Sequence, residues 1–98
     1  MTKNDFVEQI HTKFYVHIQD RPPLELELYQ VEEGRSTPTQ EQFSLFFYGP
    51  ADFSLGQGTF ELKHEKMGTS SLFLVPIGPD QQGLRYQAVF NRFVKPQP

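Results

Sequence analysis

LGQGTFELKH, residues 55–64, decides the fold, because its glycines admit two readings. A Gly-x-Gly pair cradles phosphate when a strand leads in and a helix N-terminus leads out, offering aligned amides and the positive end of a dipole. Here the exit, TFELKH, alternates Phe60 and Leu62 with Glu61 and Lys63, the period of two expected of a half-buried strand. The required helix is missing. Gly56 and Gly58 are therefore read as a turn, supplying positive φ or a bulge where the strand begins.

The same period runs outward in both directions. Upstream, QFSLFFYG sets Phe43, Leu45 and Phe47 on one face and Ser44, Phe46 and Tyr48 on the other. LELELYQV is the cleanest alternation, with Leu24, Leu26 and Leu28 inward and Glu25, Glu27 and Tyr29 outward. Phe14, Val16 and Ile18 form a third apolar row against Lys13, Tyr15, His17 and Gln19. DRPP separates these last two strands, since Pro22 and Pro23 lack amide donors. Before them, Thr2 or Asn4 is placed to cap a short helix over 5–10, with Phe6 and Ile10 on one face, so that 1–11 acts as a lid on the core.

Downstream, EKMGTS turns around Gly68, and SLFLVPIG is apolar on both sides, with Leu72 and Leu74 opposite Phe73, Val75 and Ile77. That pattern predicts a strand covered on both faces, with Pro76 at an edge or bulge. GPDQQG turns into LRYQAVFNRF, and 94–98 reads as a frayed tail. The longest segment without strand pattern is EEGRSTPTQE at 32–41, a loop and a candidate functional one. Six strands without a helical crossover predict one all-β domain over 1–98: a mainly antiparallel sandwich or partly open barrel with a short N-terminal helix.

Composition narrows the function classes. A chain of 98 residues holds a single core. With 9 basic and 12 acidic side chains, scattered and summing to −3, it has no electrostatic footprint for nucleic acid. No cysteine is present, so disulfides, thiolate metal sites and thiol nucleophiles are excluded. The opening MTKNDFVEQIHTKFYV interrupts any apolar run with Asp and Glu, and no later stretch has membrane-spanning length. The expectation is a chain that is cytoplasmic on synthesis, with export by a non-classical route left open and no membrane partner.

Candidate chemistry is sparse. His11 and His17 would stand about 20 Å apart on an extended chain at roughly 3.3 Å per residue, too far to share an ion. His64 and Glu65 point to opposite faces of a strand, and the histidines read as ordinary surface residues. Glu25 and Glu27 would lie about 7 Å apart, near the spacing of glycosidase carboxylates, but no Trp or deep cleft accompanies them. No serine sits in a nucleophile elbow. No catalytic residue, metal or cofactor is assigned, and a non-enzyme is expected.

The informative feature is aromatic. Of ten Phe and four Tyr, Tyr15, Tyr29, Phe46 and Tyr48 oppose the alternation that forms the core. If their strands are neighbours they gather into one patch, which marks a contact surface unless the N-terminal helix or the loop bearing Phe53 covers it.

QGTFELKH, LFLVPIG and YQAVFN, in that order, resemble a small bacterial family of single-domain β proteins of unknown role. The likeness covers most of 43–91 and extends more weakly to LELELYQVEEG, with Phe60 where the family has tyrosine and Gln87 where it has glutamate. The resemblance implies a compact β domain and a loose association with phage-tail-like, tail-collar-type proteins; it assigns no catalytic residue. Two functional expectations follow. One is a non-catalytic protein-interaction or assembly module whose partner is another protein, such as a tail-like fibre protein, or a second copy. The other is a small-molecule or carbohydrate binder in a β-barrel mouth, with tyrosines stacking on a ring.

Overall fold

In a computed structural model, which describes residues 2–35 and 37–93, the turn reading of 55–64 holds. Gly56 has φ +75°, and strand rather than helix follows. Among the described residues the alternation becomes β1 (Lys13–Val16), β2 (Leu24–Glu33), β3 (Gln40–Gly49), β4 (Gly58–His64), β5 (Gly68–Asp80) and β6 (Gly83–Phe93), preceded by α1 (Lys3–Val7). The tail expected at 94–98 lies outside the described residues.

All neighbouring strands are antiparallel, and one sheet closes into a ring in the order β1-β2-β3-β6-β5-β4. It is not a regular barrel. β2 pairs with β1 from Leu24 to Glu27 and with β3 from Glu27 onward. In the same way β5 pairs with β4 up to Leu74 and with β6 from Leu74 onward. Two strands thus pass from one layer to the other, which is how packed sheets turn a corner. The expected alternatives, sandwich and partly open barrel, meet in this arrangement. Closure between β1 and β4 rests on the pairs Tyr15↔Lys63 and Val16↔Leu62.

Each shared strand has a register slip just past its handover, between Leu28 and Gln30 in β2 and between Pro76 and Gly78 in β5. The first slip resets the alternation, so that Tyr29 packs on the outer rings of β3 while Val31 turns back against the core. The second accommodates Pro76, as the sequence predicts.

The ring is filled by side chains. Phe14, Phe43, Phe47, Leu26, Leu28, Leu45, Leu62 and Leu74 are fully buried. Phe6 of α1 joins them, its ring centroid 5.9 Å from those of both Phe43 and Phe90. The Tyr86 hydroxyl, also buried, accepts a 3.0 Å bond from the Leu55 amide and so fastens the 50–57 connection to β6.

Four local expectations change. The helix starts earlier and stops sooner than 5–10, because Thr2 and Asp5 form a reciprocal capping box and the chain is left-handed at His11 (φ 73°). β1 ends at Val16, although Ile18 still packs on the core. The 32–41 segment is less open than its composition suggests, since β2 runs to Glu33 and β3 begins at Gln40. β5 is covered on one face only: Leu72 and Leu74 are buried, but Phe73 is 48% exposed.

Candidate functional site

Placing β6 between β3 and β5 redraws the aromatic patch. On the outer face Tyr29 and Tyr48 stack at 4.0 Å with their planes 25° apart, and Phe46 lies 6.2 Å from Tyr29. All three are half-buried, by one another rather than by α1 or the 50–57 loop, since Phe6 and Phe53 pack toward the core instead. Tyr15 does not join them. It sits on β1 between Glu25 and Lys63, 38% exposed, across the charged row of Glu25, Glu27 and Lys13.

The face continues onto β6 and β5. Phe46 pairs with Gln87, which pairs with Val75. The next outward residue of β6 is Val89, 48% exposed and diagonal to Phe46; Phe73 precedes Val75 by two on β5. Phe73 and Val89 lie immediately beyond the last β5–β6 pair, Leu74↔Ala88. Tyr29, Phe46, Tyr48, Val75, Val89 and Phe73 therefore run obliquely across β2, β3, β6 and β5. The missed signal was the second apolar row of SLFLVPIG, which read as covered.

One border of this face is polar and fixed. The Tyr48 hydroxyl donates a 2.7 Å bond to Asp80 Oδ2, and the Gln82 amide donates to Asp80 Oδ1 at 2.8 Å. The Tyr48–Asp80 bond pushes the phenol up to about 12, and the same bond, with the Gln82 amide, holds Asp80 below the ordinary carboxylate value. Asp80 therefore stays ionised and Tyr48 protonated near neutral pH. The bond orients one ring of the stacked pair.

A second constellation lies where β1 and β4 meet. His64, read from sequence as a surface residue, is 8% exposed, its ring centroid 4.5 Å from that of Phe14. Its Nδ1 accepts from the backbone amides of Lys66 (2.9 Å) and Met67 (3.2 Å), so that nitrogen carries no proton. The proton of the neutral ring is thus on Nε2, which donates to Thr12 Oγ1 at 2.8 Å. Thr12 in turn donates to the Gln9 carbonyl at 2.6 Å. Burial lowers the His64 pKa below its ordinary value, with Lys66 adding to and Glu65 opposing the effect. The arrangement has the elements of a hydroxyl–imidazole dyad with the polarity reversed. A general base must accept the hydroxyl proton, whereas this imidazole donates to the hydroxyl.

The other candidates are engaged or apart. Glu27 bonds Lys13 Nζ at 3.1 Å and His11 Nδ1 at 3.3 Å, and chiefly the Lys13 bond lowers its pKa, the opposite of what a glycosidase acid needs. Among the described residues no group of three His, Asp or Glu is arranged to hold a metal, and no helix is long and apolar enough to cross a membrane. Surface depressions of about 250 to 400 Å³ are shallow, and mainly polar side chains line them.

A family model described as a domain of unknown function (DUF6916) matches residues 1–90. No curated protein and no solved structure matches the chain.

Proposed function

We propose that this chain, which belongs to the DUF6916 family of domains of unknown function, is a non-catalytic protein-interaction or assembly module whose contact surface is the outer face of β2, β3, β6 and β5. The observation that carries the reading is the half exposure of Phe73 and Val89 beside the Tyr29–Phe46–Tyr48 cluster on one sheet face. Contiguous apolar surface rich in Tyr and Phe is characteristic of protein contact sites. Three rings already packed together lose little side-chain entropy when a partner covers them. The partner is a protein with a matching apolar face. The resemblance to tail-associated domains makes a tail-like fibre protein the first to test, and that choice rests on the resemblance alone.

Carbohydrate binding in a barrel mouth fits less well. The ring is filled with Phe and Leu, and Tyr29 and Tyr48 turn their faces to each other rather than to a sugar.

The test compares wild type with a Phe73→Ser, Val89→Ser variant, in affinity capture from native lysate and in sedimentation of the purified chain. Both side chains are about half exposed, so the variant should fold, as circular dichroism would show. Wild type should retain a protein, or form a dimer, that the folded variant loses. Equal capture and equal sedimentation by both would remove this face from consideration.

A further inference from the structure

The β1–β4 seam is the thinnest junction of the ring, and His64 stands at its end. The seam pairs are Tyr15↔Lys63 and Val16↔Leu62, with Thr12 three residues before the first on one strand and His64 next after Lys63 on the other. The histidine bonds both sides at once: through Nε2 to Thr12 on the N-terminal segment, and through Nδ1 to the 65–67 turn that joins β4 to β5. Thr12 carries the link onward to the Gln9 carbonyl, and its own carbonyl accepts from the Leu28 amide of β2.

We propose that His64 is a proton-operated latch on this seam: when the imidazole takes up a proton it releases the 65–67 turn and Thr12 together, and the ring opens between β1 and β4.

The reason is geometric. Protonation adds an N–H at Nδ1, 2.9 and 3.2 Å from two backbone amide nitrogens that already point their hydrogens at it. Three donors then face one another in a site that is 92% buried by the 8% exposure of the residue. The imidazolium relieves this by rotating out of the site, which takes Nδ1 from the turn and Nε2 from Thr12 together. The charged groups around the site do not cancel this. Glu65 on the turn favours the imidazolium and Lys66 beside it disfavours it. Lys13 and Tyr15 of β1 line the adjoining depression, and Asp5 and Glu8 of the N-terminal segment share another with Lys66. On the core side His64 meets the uncharged Phe14 ring. An open seam leaves rows of unpaired amides and carbonyls on two strands, the form in which a sheet edge accepts another strand.

Amide hydrogen-exchange protection factors, measured between pH 7.5 and 5 alongside the NMR titration of the His64 ring, test the latch. In wild type the seam amides at 13–16 and 62–64 should lose protection by up to about tenfold per pH unit as the pH falls toward the ring's own titration point and be nearly unprotected below it, while paired β3 and β6 amides remain protected there. In a His64→Asn variant, whose side-chain oxygen can still accept from the turn but cannot titrate, seam protection should not change with pH. Seam amides that stay as well protected as those of β3 and β6 once the ring is protonated would overturn the proposal. So would a folded His64→Asn chain with the wild-type pH response. The wild-type comparison decides the matter even if that variant fails to fold.

Discussion

Replacing Phe6 by Ala tests whether the N-terminal segment belongs to the core or merely rests on it. Phe6 is 0% exposed and its ring lies 5.9 Å from Phe43, 5.9 Å from Phe90 and 6.4 Å from Phe14. Truncating a buried Phe to Ala costs about 3–5 kcal/mol, the upper end applying where a sealed cavity remains. Here the side chain sits on a helix of five residues, far too short to stand alone. The segment can peel back and admit water, which favours the lower end, about 3 kcal/mol. With a urea m-value of about 1.5 kcal/mol per molar, reasonable for a small domain, the midpoint should fall by about 2 M. Val7→Ala is the control: Val7 is 42% exposed, and its loss should stay within about 0.5 kcal/mol. Hydrogen exchange should place the damage first at the amides of Thr12, bonded to the Gln9 carbonyl, and His11, bonded to the Leu28 carbonyl. The His64 titration should move back up toward the ordinary value, because a departing segment takes Thr12 with it and lets water reach the ring. A midpoint shift under about 0.5 M would refute the reasoning, since a Phe that closes the core cannot be removed so cheaply.

Three further outcomes are expected. Gly83→Ala should destabilise by about 2–4 kcal/mol in urea unfolding, because φ is +147° and a Cβ would stand 2.5 Å from the Gly49 carbonyl oxygen, backbone that no rotamer change can move. Stability should decline as pH falls below about 6.5, since the unfolded imidazole takes a proton before the folded one; the slope from His64 is at most about 1.4 kcal/mol per pH unit, ends once the folded ring protonates, and should vanish from the urea midpoints of His64→Asn. Tyr48→Phe should raise the Asp80 titration, followed by carboxyl NMR, toward its ordinary value by removing its chief hydrogen-bond donor, with the fold unchanged.

The strands were legible because burial on one face writes itself into the chain with period two. Leu24, Leu26 and Leu28 alternate with Glu, and all three are buried. Where the period breaks, the sequence carries a mark that is hard to interpret alone. Leu28 and Val31 are three apart, and the slip between Leu28 and Gln30 explains the spacing once β3 supplies the partner register. Pro76 was a clearer mark, since a missing amide restricts where a strand can place it. The two apolar rows of SLFLVPIG suggested double coverage, but a second apolar row is equally what an exposed contact face requires, and Phe73 at 48% exposure shows which applies.

The candidate sites depend on strand order, which local pattern does not encode. Grouping Tyr15 with Tyr29, Phe46 and Tyr48 assumed that the first three strands share one continuous outer surface. They do pair in sequence, yet β2 changes layers at Glu27, so Tyr15 and the cluster fall on opposite sides of a charged row. Val89 joins the cluster because β6, the last strand, inserts beside β3. His64 was hidden for the same reason. Its inward direction is readable from Phe60 and Leu62, which share its parity, but its hydroxyl partner lies 52 residues away. A histidine on the apolar parity of a strand must find hydrogen-bond partners or stay unburied. In this chain they come from the one turn and the one segment that flank the ring's weakest pairing. A proton placed there acts on closure, while the aromatic face rests on the β2–β3, β3–β6 and β5–β6 pairings, none of which belongs to the seam.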